Sequence, residues 1–306
     1  MYIQFFIMSQ KKESNRKRSR PVTKKKKFDM KYLIPVIIVV IIVIAGAYFV
    51  LNMNEPPTAK KDYIAMDVNS DNYLLNILGN DVDPDGQTLS IKEIKDPTNG
   101  VISTEGSKYY FTPTTNFSGV ETIEYTIVDE KGAEASSEVH LIIKNNPVAL
   151  MDTSLGMIVL ELYKDKMPNT CANFIKLSND GFYDGMNFYR VSDDFMIQAG
   201  RYFPDGSEDQ SPYGTINFEE SDVKHVDGAI SMARSQSMNS ASAEFFICDQ
   251  AQEFLDGQYA AFGVTIDGID VVHDIAAQPN DGAHPAGGGK PYDDILINSV
   301  EIKNND

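Results

Sequence analysis

The 306-residue sequence lacks the familiar catalytic signatures. Its four histidines, His140, His225, His273 and His284, form neither an HExxH nor an HxxxH arrangement, and there is no GxSxG motif. A run of three glycines before Lys290 lacks the spacing of a phosphate-binding P-loop and predicts a turn. The chemistry of this chain must therefore come from a less conventional group of residues.

One such group places a cation beside apolar side chains. Arg190 lies in a strand-like run and is followed by several apolar blocks in a fixed order. Taken alone, an arginine of this kind is typical of a surface ion pair, and the apolar residues are typical of a core. Their joint spacing outweighs these separate interpretations. The ordered blocks are Asn187–Val191, Phe195–Gly200, Gly228–Arg234, Asn239–Ala241 leading to Glu244–Cys248, and Phe254–Gly263.

Because these blocks occur in this order and at these intervals, the stretch from Val148 to about Lys303 resembles the cyclophilin family of peptidyl-prolyl cis/trans isomerases. The resemblance implies a mainly β fold at residues 148–304, a closed eight-stranded antiparallel barrel capped by two helices. It implies Arg190 as the catalytic residue, with no cofactor and no metal. The substrate-binding residues that it implies are Phe195, Met196, Gln198, Ala233, Arg234, Glu244, Phe246, Phe254, Leu255 and Tyr259.

Several of these positions depart from the family pattern. Glu244 stands where glutamine is usual, which adds a negative charge near the groove that is able to pair with Arg190 or Arg234. Asp193 and Asp194 replace a loop that often carries Pro-Gly, which predicts acidic side chains at the pocket rim. Phe254 and Tyr259 occupy positions that often hold Trp and His. These changes affect the expected substrate preference more than the expected activity.

The same region shows local signals for its elements. Pro168 suits the first turn of a helix, and apolar residues at helical spacing predict that this helix continues to about Asn179. Further apolar runs predict strands. These runs are Ala149–Met151, Met157–Leu162, Phe195–Gln198, Ala229–Met232, Phe245–Cys248, Ala260–Val264 and Ile295–Ile302.

Residues 62–145 show short alternating runs separated by Gly, Pro, Asn and Asp, which predicts a small β-sandwich. The stretch resembles the cadherin-like, immunoglobulin-like repeats of bacterial surface proteins, through Asn80–Gly86, Phe111–Pro113, Asn116–Gly119 and Tyr125–Asp129. A single copy of about 85 residues suggests a spacer. The alternative is a module that binds a surface partner.

Asp81, Asp83 and Asp85 reproduce the start of a calcium-binding loop, with Gly86 at its sixth position. The twelfth position is Lys92, where such a loop needs a bidentate glutamate. We interpret the segment as an acid-rich turn and keep calcium as the weaker alternative.

The N-terminal region predicts the location of the chain. Residues 1–32 hold 11 Lys and Arg against two acids, which leaves 16 basic and 42 acidic residues beyond them. The strong negative charge of the residues after position 32 argues against nucleic-acid binding. The 19 uncharged residues from Leu33 to Leu51 predict a transmembrane helix, rather than a core helix or a cleaved signal peptide.

The basic tail at residues 1–32 then lies in the cytoplasm, and a linker at residues 52–61 leads to domains outside it. Cys171 and Cys248 show no spacing typical of a disulfide framework, so we expect free buried thiols rather than a disulfide.

The predicted function is isomerisation of X-Pro bonds in exported or cell-surface proteins. The alternative is a non-catalytic module that binds proline-containing peptides at the cell surface.

Overall fold

The computed structural model describes residues 30–51, 53–220 and 222–303. The chain divides into two compact units, Met1–Met53 and Asn54–Asp306. Residues 1–29 of the predicted basic tail lie outside the described residues. The second unit contains two β-rich parts joined near Pro147, and every candidate functional residue lies in it.

Helix α1 (Met30–Leu51) forms over the apolar segment in the first unit. Its described side chains, at residues 33–44, are exposed. No helix in the described part of the chain is both long and apolar enough to cross a membrane. The transmembrane helix predicted at Leu33–Leu51 is therefore not supported.

The first part of the second unit consists of two sheets. One sheet has the order β1-β7-β6-β3, and the other has the order β2-β5-β4. Strand β1 is parallel to β7, and the other described pairs in these sheets are antiparallel. The strands are β1 (Asp62–Met66), β2 (Tyr73–Leu75), β3 (Ser90–Ile94), β4 (Gly100–Glu105), β5 (Lys108–Pro113), β6 (Gly119–Val128) and β7 (Glu134–Ile143).

Strand β6 shows why this part folds as predicted. Successive side chains of a strand point to opposite faces, so the buried Ile123, Tyr125 and Ile127 share one face, while the exposed Thr122 and Glu124 share the other. The buried face packs against residues of both sheets and forms one apolar cluster. An immunoglobulin-like arrangement of two sheets around a shared core is confirmed.

A buried polar group lies at one edge of this cluster. The hydroxyl of Tyr125 lies 2.7 Å from the carbonyl oxygen of Lys60, 3.0 Å from Asp62 Oδ2 and 3.3 Å from Asp81 Oδ1. One hydroxyl proton cannot serve three acceptors, so the two carboxylates compete for it. Burial, partly offset by the Tyr125 hydrogen bond and reinforced by the Asp81 charge, raises the pKa of Asp62 to about 7.

This raised pKa predicts a pH-dependent stability. A carboxyl whose pKa is higher in the folded state stabilises the fold below its unfolded pKa, and this contribution is lost as pH rises through the folded value. We therefore expect the melting temperature of the sandwich to fall between about pH 4 and pH 7. Asp62→Asn, which keeps a donor and cannot ionise, should flatten that slope, and exposed Asp67→Asn should not. Thermal melts, with hydrogen exchange on β1 and β6, measure both; an unchanged slope in Asp62→Asn would refute the assignment.

The second part contains one eight-stranded sheet with the order β10-β11-β13-β12-β14-β9-β8-β15. All of its described strand pairs are antiparallel. The strands are β8 (Val148–Thr153), β9 (Gly156–Leu162), β10 (Arg190–Ser192), β11 (Met196–Ala199), β12 (Ala229–Met232), β13 (Phe245–Cys248), β14 (Ala260–Asp267) and β15 (Ile297–Lys303).

The prediction of a closed barrel is wrong, because the sheet is open between β10 and β15. The outer edge of β10 is bonded to the loop at Gly289, through two backbone hydrogen bonds with Val191, and so does not pair with β15. The two edges meet instead through irregular backbone, with an isolated bridge between Asn187 and Leu296 and a 2.9 Å bond from the Phe188 N–H to the Ile295 carbonyl.

Two helices pack on this sheet, as predicted. Helix α2 (Pro168–Asn179) has the predicted bounds, and α3 (Ile269–Ala276) follows β14 directly. The carboxylate of Glu219 accepts hydrogen bonds from the N–H groups of Asn169 and Thr170, which satisfies free donors at the start of α2. Cys171 and Cys248 are free and buried, as expected.

The two parts of the second unit pack against each other. An apolar cluster contains Ala65 and Ile142 from the sandwich and Val148, Leu150 and Val159 from the eight-stranded sheet, all buried. Polar contacts flank it, with His140 Nδ1 at 2.6 Å from Asp267 Oδ2 and Lys144 Nζ at 2.8 Å from Glu161 Oε2. The sequence predicted only a short linker here, so this packing is a finding of the structure.

Candidate active site

Three neighbouring strands carry the centre of the candidate site. The antiparallel register places Arg190 of β10 opposite Gln198 of β11, and Gln198 opposite Phe246 of β13. Because side chains alternate along a strand, Met196 shares the face of Gln198, whereas Ile197 points into the main core. The sheet register therefore gathers a cation, an amide and apolar groups on one surface.

A cavity of about 260 Å³ opens on this surface. Arg190 and eight of the ten predicted substrate-binding residues line it; Glu244 and Phe254 do not. Two residues that the sequence did not predict, His284 and Ala286, also line it. The predicted residues at the cavity are Arg190, Phe195, Met196, Gln198, Ala233, Arg234, Phe246, Leu255 and Tyr259.

The apolar wall is built by packing between rings. Phe246 is 5 % exposed and lies between the ring of His225, at 6.0 Å and nearly parallel, and the ring of Tyr259, at 5.6 Å and nearly perpendicular. Met196 and Leu255 are buried in the same cluster. Phe254, in contrast, is 62 % exposed and only stacks on Phe195 outside the cavity.

His225 is fixed beneath this wall. Its Nδ1 lies 3.0 Å from Asp256 Oδ1 and its Nε2 lies 3.1 Å from the hydroxyl of Ser231. Burial lowers the pKa of His225, against the opposing effect of Asp256. A neutral, doubly hydrogen-bonded ring therefore supports Phe246. The sequence carried no signal for this role.

The guanidinium of Arg190 is held mainly by backbone carbonyls. Its Nε donates to the Gly287 oxygen at 3.1 Å, and its Nη2 donates to the oxygens of Ala286, at 2.9 Å, and Gly287, at 3.0 Å. Its Nη1 donates to Gln198 Oε1 at 3.4 Å, and its Cζ lies 5.5 Å from the centre of the Phe195 ring. Burial lowers the pKa of Arg190, but an arginine side chain stays charged in proteins.

The glycine run predicted as a turn, together with Ala286 before it, supplies these carbonyls. Gly289 exchanges hydrogen bonds with Val191 of β10, at 2.9 and 3.1 Å, so the loop lies directly along the strand. Gly288 has φ +70°, and a Cβ there would lie 2.2 Å from the Val191 oxygen. Only glycine allows this close approach. The run therefore has a structural purpose that its sequence did not show.

Glu244 does not pair with Arg190 or Arg234, contrary to the prediction. Its carboxylate lies 3.2 Å from Nη1 of Arg201 and accepts a hydrogen bond from the Tyr189 hydroxyl. Tyr189 in turn accepts a hydrogen bond from Gln198. Burial and the Glu244 charge raise the pKa of Tyr189. Arg201, for which the sequence carried no signal, therefore holds the acid at a neighbouring cavity.

The other acids that were expected at the rim also lie outside the cavity lining. Asp193 and Asp194 are exposed, and the N–H of Asp194 donates to Asp249 Oδ2 at 2.8 Å. Among the described residues, no carboxylate oxygen lies within 4 Å of the Arg190 or Arg234 guanidinium nitrogens. The charge of the candidate catalytic arginine is therefore not neutralised by a neighbouring acid.

The candidate calcium loop uses its carboxylates within the fold. Asp83 Oδ1 accepts the N–H groups of Asp85 and Gln87, at 2.9 and 3.0 Å, and Asp81 faces Tyr125. In the part of the chain that the structure describes, the groups of three ligands whose atoms lie within 4.8 Å of one another are both in the second β part. The three loop aspartates do not converge in this way.

An eight-stranded sheet with two packed helices, an apolar cavity and an arginine held above it define a cyclophilin-like domain. Comparisons with known proteins agree. The family model "Cyclophilin type peptidyl-prolyl cis-trans isomerase/CLD" matches residues 148–302, just over half of the chain, and the model "Bacterial Ig domain" matches residues 54–142. The chain belongs to the cyclophilin-type peptidyl-prolyl cis-trans isomerases.

Individual relatives carry the same description. A peptidyl-prolyl cis-trans isomerase of Synechococcus elongatus is 43% identical over 119 residues, which cover 39% of this chain and 80% of the relative. Peptidyl-prolyl cis-trans isomerase B of Escherichia coli is 34% identical over 160 residues, covering 49% and 96%. A crystal structure of a Cryptosporidium parvum cyclophilin in the presence of the dipeptide Ala-Pro has 31% identity and a TM-score of 0.46, covering 52% of this chain and 99% of that one. Isomerisation of peptidyl-prolyl bonds is therefore the activity of this chain.

Proposed function

We propose that Arg190 is the catalytic group of this isomerase and that the cavity beside it binds the substrate proline. The observation that carries this is a positively charged guanidinium, fixed by carbonyls at the wall of an apolar cavity, with no acid bound to it among the described residues. Phe195, Met196, Phe246 and Leu255 provide the apolar surface for the ring.

The reaction needs few reactive groups. Rotation about a peptide bond faces a barrier of about 18–20 kcal/mol, because amide resonance gives the bond partial double-bond character. When the bond twists, the prolyl nitrogen becomes pyramidal and regains a lone pair. An N–H group aimed at that nitrogen binds the twisted form better than the planar one, and this difference lowers the barrier.

The hydrogen bonds of Arg190 leave one donor for this task. A guanidinium has five N–H donors. Four are used by Gly287, Ala286 and Gln198, which leaves the second N–H of Nη1 without a partner among the described residues. Gln198 Oε1 orients this same nitrogen. We assign Gln198 to fixing the direction of the free N–H and to holding the substrate backbone.

We also infer that the substrates are segments of exported or cell-surface proteins and that both folded domains lie outside the cytoplasm. Support comes from the sequence, in which 11 basic residues precede 19 uncharged ones. It also comes from the match to a bacterial immunoglobulin domain. Protease added to intact cells should remove residues 54–306. Protection of these residues until the membrane is permeabilised would contradict this location.

Catalysis on polypeptides is tested with a protein whose refolding is limited by an X-Pro bond, since uncatalysed isomerisation takes tens of seconds or longer. Catalytic amounts of the full chain should accelerate the slow refolding phase. If the chain binds the refolding protein without shortening that phase, it acts on polypeptides as the alternative proline-binding module.

A further inference from the structure

The charged side chains that line the proline cavity all carry positive charge or can acquire it. They are Arg190, Arg234 and His284, and none of the eleven lining residues is an aspartate or glutamate. The chain as a whole has a formal charge of −17, so the cavity is a basic patch on an acidic protein. Burial and the Arg190 charge lower the pKa of His284, which leaves the two arginines as the charges at neutral pH.

Arg234 is held in place without being neutralised. Its Nε donates to the Gln258 carbonyl at 2.9 Å, and its Nη1 donates to the Ser235 carbonyl at 2.9 Å. Its Cζ lies 4.7 Å from the centre of the Tyr259 ring. These partners are all formally uncharged. The Nη1 of Arg234 also donates to the Gln236 carbonyl at 3.5 Å, so among the described residues the N–H groups of Nη2 are left for a carboxylate. A positioned arginine of this kind loses little conformational entropy when it binds one.

Glu244, the acid that was expected to pair with Arg190 or Arg234, is bound elsewhere. Glu244 binds Arg201 and Tyr189, and both Glu244 and Arg201 line the neighbouring cavity instead. The pairing of Glu244 with Arg201 therefore leaves the proline cavity with uncompensated positive charge.

We propose that Arg234 selects substrates that carry an acidic side chain next to the proline. This rests on the proposed catalytic site and adds a substrate class to it. Arg190 serves every X-Pro bond, whereas Arg234 distinguishes acidic from neutral neighbours. Charge pairing at the rim of a binding site acts on selectivity in this way and weakens with added salt.

The test compares matched tetrapeptides that differ only in Glu or Gln, placed before the proline in one pair and after it in the other. The full chain should have a kcat/KM about three- to tenfold higher for Glu than for Gln in at least one pair at low salt. High salt should reduce this ratio. Arg234→Gln should bring the ratio close to one, and Arg234→Glu should invert it.

Lys166→Gln is the matched control, since it removes a positive charge that pairs with Asp222 away from the cavity; it should keep the wild-type ratio. A wild-type ratio of one or less in both pairs would overturn the inference, as would a preference that survives Arg234→Gln. Absence of turnover for all peptides would instead overturn the catalytic site on which the inference rests. Because the wild-type ratio is itself decisive, a variant that fails to fold does not remove the test.

Discussion

Replacing Arg190 with alanine should lower kcat/KM by about two orders of magnitude or more, the effect expected for the loss of one preorganised transition-state donor. The apolar wall of Met196, Phe246 and Leu255 is not touched by the change. Peptide affinity should therefore fall far less than turnover, which marks an interaction made mainly in the transition state. Peptide kinetics give kcat/KM, and a titration followed by NMR gives Kd.

Arg190→Lys is the matched control for this variant. A lysine keeps the charge but cannot reproduce the guanidinium fork that donates to Ala286, Gly287 and Gln198 at once. Its activity should lie between those of the wild type and Arg190→Ala. Comparable turnover in the wild type and Arg190→Ala would contradict the mechanism. Equal losses of affinity and turnover would show that Arg190 only shapes the cavity.

Replacing Phe246 with alanine should damage binding and turnover together. The ring is almost fully buried between His225 and Tyr259, so its removal takes away part of the apolar wall of the cavity. Large-to-small changes at such positions cost about 3–5 kcal/mol of stability. We expect a kcat/KM about ten- to one hundredfold lower, with a clearly weaker Kd and a lower melting temperature.

Phe246→Leu distinguishes the effect of core packing on stability from the effect of the flat ring on substrate affinity. Leucine refills much of the volume, so stability should recover more than substrate affinity does, because the flat ring surface is still missing. Melting curves and peptide titrations on both variants measure this. A Phe246→Ala variant with wild-type affinity would show that the proline binds elsewhere.

Local signals in the sequence predicted some elements closely. Helix α2 has the predicted bounds because Pro168 starts it and an apolar face runs through Phe174. Strands β12 and β13 also have the predicted bounds, since they are short apolar runs between polar turns. Most of the cavity lining followed from the family resemblance, because the spacing of the blocks reflects strand register.

Other features depend on contacts between distant residues and leave no local pattern. The carbonyl oxygens of Ala286 and Gly287 hold Arg190, yet every residue type carries a carbonyl, so no sequence pattern indicates them. Glu244 was assigned the wrong partner because Arg201 becomes its neighbour only in the folded sheet. The sheet is open because the outer edge of β10 is bonded to the loop at Gly289, a pairing that an apolar pattern does not indicate.

The packing between the two β parts could not be predicted from the sequence either. Val148, Leu150 and Val159 look like ordinary core residues of one domain, whereas they face Ala65 and Ile142 of the other. Periodicity identifies a buried face but does not say which element covers it. The boundaries predicted at residues 62–145 and 148–304 stay predictions.

The most direct test of the central claim is NMR exchange spectroscopy on an Ala-Pro-containing tetrapeptide with catalytic amounts of the full wild-type chain. Uncatalysed exchange between the cis and trans forms takes tens to hundreds of seconds and gives no cross-peaks on the timescale of the experiment. We expect cross-peaks between the two forms with the wild type and their loss with Arg190→Ala at equal peptide occupancy. Saturable binding of the peptide by the wild type without exchange cross-peaks would contradict that claim.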